Sequence, residues 1–363
     1  MRSDKSTRRD AEAALLRTIV AQFSARESHP RGDVDQFELL AGGLIDLLDA
    51  ECVAGVAMDL CAHAETPPSV VARLFDKGGQ CARVAFEVAG HIPAADIFVT
   101  AEHGPAEHAA AIARRADLAR AVVAALASRG EGEVLRALAG NRRSRLDQAV
   151  LRTLIAAARD DLALGRALLD REDLDIDPEP LFLAATRAER VAIVLESCRS
   201  VIVAGVFEAA PRADDAFAAR LESAALARDR DAMIALLADA LDCRKGRVRA
   251  IVADPGGEAL AFTLIGLGLG EELAIRILLC AEPCISHDPS HMRALVGAMR
   301  SIPPRAALRI VAAITGSARH DRDAARRAGA RDEALTRATG WRRAVSTRGA
   351  AGALRASKLD HSA

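Results

Sequence analysis

Apolar positions recur along the first half of the chain at helical spacing. Within residues 111–141, Leu118, Val122 and Leu126 fall at i, i+4 and i+8, with Val123 beside them. That spacing lines one stripe of a helix. Gly130 follows the last apolar residue, where a left-handed C′ residue ends a helix at no steric cost. Glu131 and Glu133 open the next segment, where acidic side chains suit the exposed N–H groups of a helix start. Val134, Leu135 and Leu138 form its stripe. The stretch therefore predicts one helix–turn–helix unit. Alone it carries too little apolar surface to offset the entropy of ordering its backbone, so it needs neighbours.

Diverged copies flank it. Polar turn markers at residues 63–68, 90–93, 114–118, 141–146 and 170–174 begin 24 to 29 residues apart. Each ends in Pro or Leu where the next helix is expected, and Pro is tolerated there because its missing N–H would have no partner. Two short helices fit between markers, for example over 69–75 and 80–89. Self-similarity at this period is the signature of a solenoid. The expected fold is all-α: an α-solenoid of short helix pairs, HEAT-like, with a period of 25–30 residues and a C-terminal helical extension.

Residues 1–8 are charged and expected to be disordered. The array is expected over 9–200, opening with helices at about 9–25, 34–50 and 52–62. Beyond Arg199 the period fades. Helices are still expected near 215–227, 231–241, 245–253, 258–267, 271–280, 291–301, 304–315 and 321–338. Residues 201–340 thus read as a C-terminal helical domain or a degenerate continuation of the array. Residues 341–363 carry Arg342, Arg343, Arg348, Arg355 and Lys358 among small residues and are expected to form a flexible basic tail.

Composition narrows the picture. The 363 residues are 51% hydrophobic but 3% aromatic, with no tyrosine. Small and medium aliphatics suit closely packed helices rather than a β-sandwich or barrel. A net charge of −1 gives no global pull toward nucleic acid or anionic membrane. Basic residues are nearly all Arg, with Lys at 5, 77, 245 and 358. Seven scattered cysteines, odd in number, fit reduced core thiols in a cytoplasmic protein. The N-terminus is polar through Asp10 and lacks a secretory apolar region. The longest apolar run, 259–270, is too short to span a bilayer.

The repeat half resembles HEAT-like and leucine-rich-repeat-variant helical arrays. Ala-Arg-Arg-Ala-Asp-Leu at 113–118 and Glu-Val-Leu-Arg-Ala-Leu at 133–138, combined with the stretches 254–269 and 274–279, resemble a family of uncharacterised helical proteins. That family is found mainly in alphaproteobacteria and is catalogued as a domain of unknown function. The resemblance covers roughly residues 40 to 315. It implies an all-α cytoplasmic protein and carries no catalytic residues over.

Few residues suggest chemistry. Cys280, Cys284, His287 and His291 are zinc-ligand types at Cys-x3-Cys-x2-His-x3-His spacing. The two-residue gap between the pairs is too short for two elements to converge, so core thiols followed by a polar loop is the plainer reading. His103 and His108, with Glu102 and Glu107 around Gly104-Pro105, could serve acid–base work, or simply sit in an exposed loop. Gly266-Leu-Gly-Leu-Gly270 follows a helix, lacks the Lys-Ser/Thr of a P-loop, and reads as a helix–helix turn. Trp341 could anchor a partner or cap a last helix.

The turns supply the partner-binding candidates: Arg114, Arg115, Arg142, Arg143 and Arg171, with Arg145 beside them. Equivalent turns of a solenoid line up, so these could form a basic ridge. Asp117, Asp147, Glu172 and Asp173 lie among them, and no aromatics are interleaved for base stacking. A protein partner is therefore favoured over nucleic acid. With no nucleophile–base set in view, the sequence points to a non-enzymatic protein–protein interaction scaffold or regulatory adaptor without a cofactor. The alternatives are a nucleic-acid-associated protein using the Arg edge, or a metal-binding protein.

Overall fold

A computed structural model describes residues 2–203, 212–281 and 288–317, with side chains from Arg8 onward. The chain divides into two compact units between Arg187 and Ala188. Every regular element among the described residues is helical.

The first unit is an all-α solenoid of short helix pairs. One row contains α1 (Arg2–Ser24), α3 (Ala50–Ala62), α5 (Gly79–Val88), α7 (Ala106–Ala113), α9 (Gly132–Gly140) and α11 (Leu162–Leu169). The other contains α2 (Arg31–Leu47), α4 (Pro68–Lys77), α6 (Ala94–His103), α8 (Arg120–Ser128) and α10 (Gln148–Ala158). Each helix of the first row packs on the next in that row, and a 3-10 turn at Glu179–Ala184 covers α11.

Local chemistry sets the boundaries. Asp49, Asp147 and Asp161 cap α3, α10 and α11 by accepting from backbone N–H groups, which satisfies donors left over at a helix start. Gly130 has φ +75°, the left-handed geometry expected at the end of α8. Leu118 lies in the turn before α8 rather than within it, and packs against the core from there.

A recurring pair-plus-one pattern fills the second row. Val70, Val71 and Leu74 of α4 are buried, as are Val122, Val123 and Leu126 of α8, and Val150, Leu151 and Leu154 of α10. In α6 the corresponding residues are Ile97, Phe98 and Ala101, and only Ala101 is buried.

Helix α1 runs from Arg2. No Gly or Pro interrupts it, and Arg8 pairs with Glu12 one turn on at 2.9 Å. Helix α12 (Arg187–Val203) falls almost entirely in the second unit. There Arg190 grips Asp254 through two 2.8 Å hydrogen bonds and Glu258 through a third. Ser197 Oγ donates to the Ala306 carbonyl at 3.4 Å.

The second unit continues with α13 (Asp215–Leu226), α14 (Arg230–Leu241), α15 (Lys245–Val252), α16 (Glu258–Gly266), α17 (Glu271–Ala281), α18 (Pro289–Ser301) and α19 (Pro304–Thr315). Its centre is α16, where Ala259 to Leu264 are all buried. Gly266 lets α19 approach: a Cβ there would lie 3.1 Å from the Leu308 backbone. With Gly268 at φ +83°, the Gly-x-Gly-x-Gly run is a turn between α16 and α17, as expected. No helix among the described residues is long and apolar enough to cross a membrane. The helix expected at 321–338 and the basic tail at 341–363, with Trp341, lie outside the described residues.

Candidate functional site

Each helix of the first row ends in carbonyl groups with no intrahelical donor. In the first unit these are met by side chains from the following repeat. His63 Nε2 donates to the Arg26 carbonyl after α1 at 2.7 Å, and His91 Nε2 to the Ala64 carbonyl after α3 at 2.8 Å. Arg115 Nη1 donates to the Phe86 and Ala89 carbonyls at the end of α5, at 3.0 and 2.9 Å. Asn141 Nδ2 donates to the Ala113 and Arg115 carbonyls after α7, at 2.9 and 2.6 Å. Arg171 Nη1 donates to the Ala139 and Asn141 carbonyls after α9, at 3.1 and 2.7 Å. The result is a ladder of side-chain rungs, one per repeat.

The two arginine rungs share an acidic partner two residues on. Arg115 forms a fork with Asp117, two hydrogen bonds of 2.9 Å. Arg171 forms the same fork with Asp173 at 2.6 and 2.7 Å. On the opposite edge Arg129 repeats the device. It forks to Glu131 at 2.7 and 3.0 Å and donates to the Ala101 and Gly104 carbonyls at the end of α6. The planar guanidinium suits this work because it offers five donors in a fixed geometry. The Arg hydrogen bonds hold the Asp117, Glu131 and Asp173 carboxyls below the usual carboxylate range.

This geometry divides the five arginines expected to form a ridge. Arg115 and Arg171 are 4% and 3% exposed, with their donors spent on backbone and carboxylate, so they are interior braces. Arg114, Arg142 and Arg143 are exposed on the same turns. Arg114 lies 3.9 Å from Glu87, and Arg142 reaches the Asp170 carbonyl at 3.2 Å. The Arg143 guanidinium has no partner among the described residues. Asp117 and Asp173 stand 65% and 53% exposed nearby, so the edge carries both signs.

Of the zinc-type residues, Cys284 and His287 lie outside the described residues. Cys280 is at the end of α17. His291 is in the first turn of α18, and its Nε2 donates to the Gly256 carbonyl at 2.9 Å. Among the described residues no group of three or more His, Cys, Asp or Glu side chains gathers in metal-binding geometry. His103 is exposed beside Glu102, whereas His108 is largely buried against Phe86, with ring centroids 5.0 Å apart. The His108 ring is 3.8 Å from Glu107, beyond hydrogen-bond reach. The two histidines therefore do not share one solvent-facing loop. The described cysteines are free thiols, and burial pushes Cys61 up to about 12 and Cys243 to about 11.

The rungs His63, His91 and Asn141 were not singled out as functional in the sequence, although the turn markers begin on or next to them. Arg115, Arg129 and Arg171 share an Arg-x-Asp/Glu triplet, but the triplet also occurs at, for example, 31, 145 and 159, so it does not by itself mark a rung. The ladder also frames the comparison with known proteins. Residues 91–178, which run from the His91 rung past α11, match a family described as an uncharacterised protein conserved in bacteria (DUF2336). No curated protein and no solved structure matches the chain.

Proposed function

We propose that the protein is a non-enzymatic interaction scaffold or regulatory adaptor, and that Arg114, Arg142 and Arg143 meet an acidic segment of a protein partner. One observation supports this most directly. The buried rungs Arg115 and Asn141 are immediate neighbours of the exposed Arg114 and Arg142. Their backbone hydrogen bonds to the preceding repeat fix the spacing of those exposed cations before any partner arrives. Preorganised contacts lose less entropy on binding. The same reading takes the array as HEAT-like, the family it resembles as one found mainly in alphaproteobacteria, and the protein as cytoplasmic.

The test is a pull-down from native lysate with wild type beside Arg114→Glu/Arg142→Glu/Arg143→Glu, the fold of each confirmed by circular dichroism. An acidic protein recovered at near-equal stoichiometry by wild type and lost by the variant supports the reading. Recovery of nuclease-sensitive material, with binding that weakens steeply as salt rises, would replace it with nucleic-acid association.

A further inference from the structure

The first unit holds two apolar clusters. One spans Ala13 to Ala89 and the other Ala101 to Leu181. At the seam between them the second row of helices opens. Helix α2 packs on α4, and α6 on α8, but side-by-side packing lapses between α4 and α6. The gap is a cavity of about 430 Å³. Val71, Ala72 and Phe75 of α4 form one wall, Asp96 and Thr100 of α6 the other, and Phe86 of α5 contributes to the floor. The Phe75 and Phe86 rings sit 4.6 Å apart, tilted by 52°.

The sequence explains the opening. Where α4, α8 and α10 carry Leu74, Leu126 and Leu154, α6 has Ala101. The α6 wall also presents a carboxylate, and closing α4 over it would bury a charge that no cation among the described residues neutralises. Val99, one turn from Asp96 on α6, is 56% exposed.

We infer that this trough docks an amphipathic helix of a partner protein, one that carries large apolar side chains with Lys or Arg a turn away. The shape argument is the layer itself. The trough is bounded by two helices in a row where helices otherwise lie side by side, and a helix inserts apolar side chains at i, i+3, i+4 and i+7 into such grooves. The charge argument is Asp96, the one carboxylate of a mainly apolar lining whose other polar side chains are His91 and Thr100; a cation at the rim would meet it. The lining reaches the His91 rung but includes none of Arg114, Arg142 and Arg143, which would take acidic residues, so either site can fail alone.

The probes are two fluorescent peptides of roughly 18 residues, long enough to hold a helix, one patterned with Leu and Lys and the other with Leu and Glu. Anisotropy titrations would use the full chain as wild type, Asp96→Lys, Ala72→Phe and Arg114→Glu/Arg142→Glu/Arg143→Glu. Asp96 and Ala72 are both exposed, and thermal melts would confirm that the variants fold. Wild type should bind the Lys peptide about tenfold more tightly than the Glu peptide, a difference of one decade in Kd. Asp96→Lys should reverse that preference, Ala72→Phe should weaken the Lys peptide about tenfold, and the triple Arg variant should keep the wild-type preference for the Lys peptide. Equal binding of the two peptides overturns the proposal, as does a preference that neither groove substitution moves. So does a cavity filled by the dye anilinonaphthalene sulfonate that the Lys peptide cannot displace.

Discussion

Arg171 donates to the carbonyl of Asn141, thirty residues earlier, at 2.7 Å, while the Asn141 side chain donates to the carbonyl of Arg115 at 2.6 Å. Arg115 in turn reaches back to Ala89. Three consecutive repeats are thus joined by a chain in which each rung accepts on its backbone and donates from its side chain. Such links fix the stacking of repeats, whereas apolar contacts alone allow them to slide.

The fork geometry of Arg171 should be worth more than its charge. Arg171→Ala leaves buried carbonyls without donors and should lower unfolding free energy by about 3 kcal/mol, from a cost of about 1–3 per unsatisfied group. Arg171→Lys keeps a cation but cannot serve Asp173 and several carbonyls together, and should lose about 1–2 kcal/mol. Urea denaturation midpoints at constant m-value would read both.

The Asn141 rung should behave differently from a charged one. Asn141→Ala should cost about 2 kcal/mol through the two carbonyls it abandons. Asn141→Asp should cost more at neutral pH than at pH 3, since the carboxylate cannot donate to the Ala113 and Arg115 carbonyls until it is protonated. A pH series of melting temperatures for the two variants, each referred to wild type, would separate them.

Acid should loosen the ladder. Asp117, Glu131 and Asp173 have carboxyl pKa values lowered chiefly by hydrogen bonds from Arg115, Arg129 and Arg171. A depressed folded-state pKa contributes stability that is whole above the unfolded value of about 4 and is lost as pH falls through the lower folded value. All three carboxylates are well exposed to solvent, so each contribution is screened and small. Asp117→Asn/Asp173→Asn should therefore lower the melting temperature slightly between pH 6 and 8 and converge with wild type as pH falls below about 4, which flattens the acid decline.

Much of this architecture is legible in the sequence because a helix stripe needs only spacing. Val122, Val123 and Leu126, and the left-handed Gly130, fall where their periodicity places them. The arginine turns are harder to read. Arg114 and Arg115 are adjacent and chemically identical, yet one faces solvent and the other faces the carbonyls of Phe86 and Ala89. The difference is a rotation about the end of α7, which a turn marker spanning 114–118 cannot resolve. The trough between α4 and α6 is hidden for another reason. Asp96 and Ala101 are ordinary helix residues, and their effect appears only where α4 would otherwise pack.

The cysteines supply a check on the core. Burial raises the Cys61 and Cys81 thiols, Cys61 to about 12. Thiolate is the reactive form, and Cys52 too is raised, by its hydrogen bond with Asp49. But Cys52 is partly exposed at the start of α3 whereas Cys61 and Cys81 are buried, so those two should resist a thiol reagent at pH 8 on the timescale in which Cys52 is labelled. Mass spectrometry of labelled peptides would rank them. Early labelling of Cys61 would mean that the first cluster opens far more readily than its packing implies.

The most direct measurement compares two neighbours. Urea denaturation of Arg114→Ala and Arg115→Ala asks whether the buried arginine braces the array while the exposed one is left for a partner. The ladder predicts that Arg115→Ala loses about 3 kcal/mol, from the carbonyls left unmet, and that Arg114→Ala stays within about 0.5 kcal/mol of wild type, as surface substitutions do. Equal losses, or a larger loss for Arg114→Ala, would contradict the account.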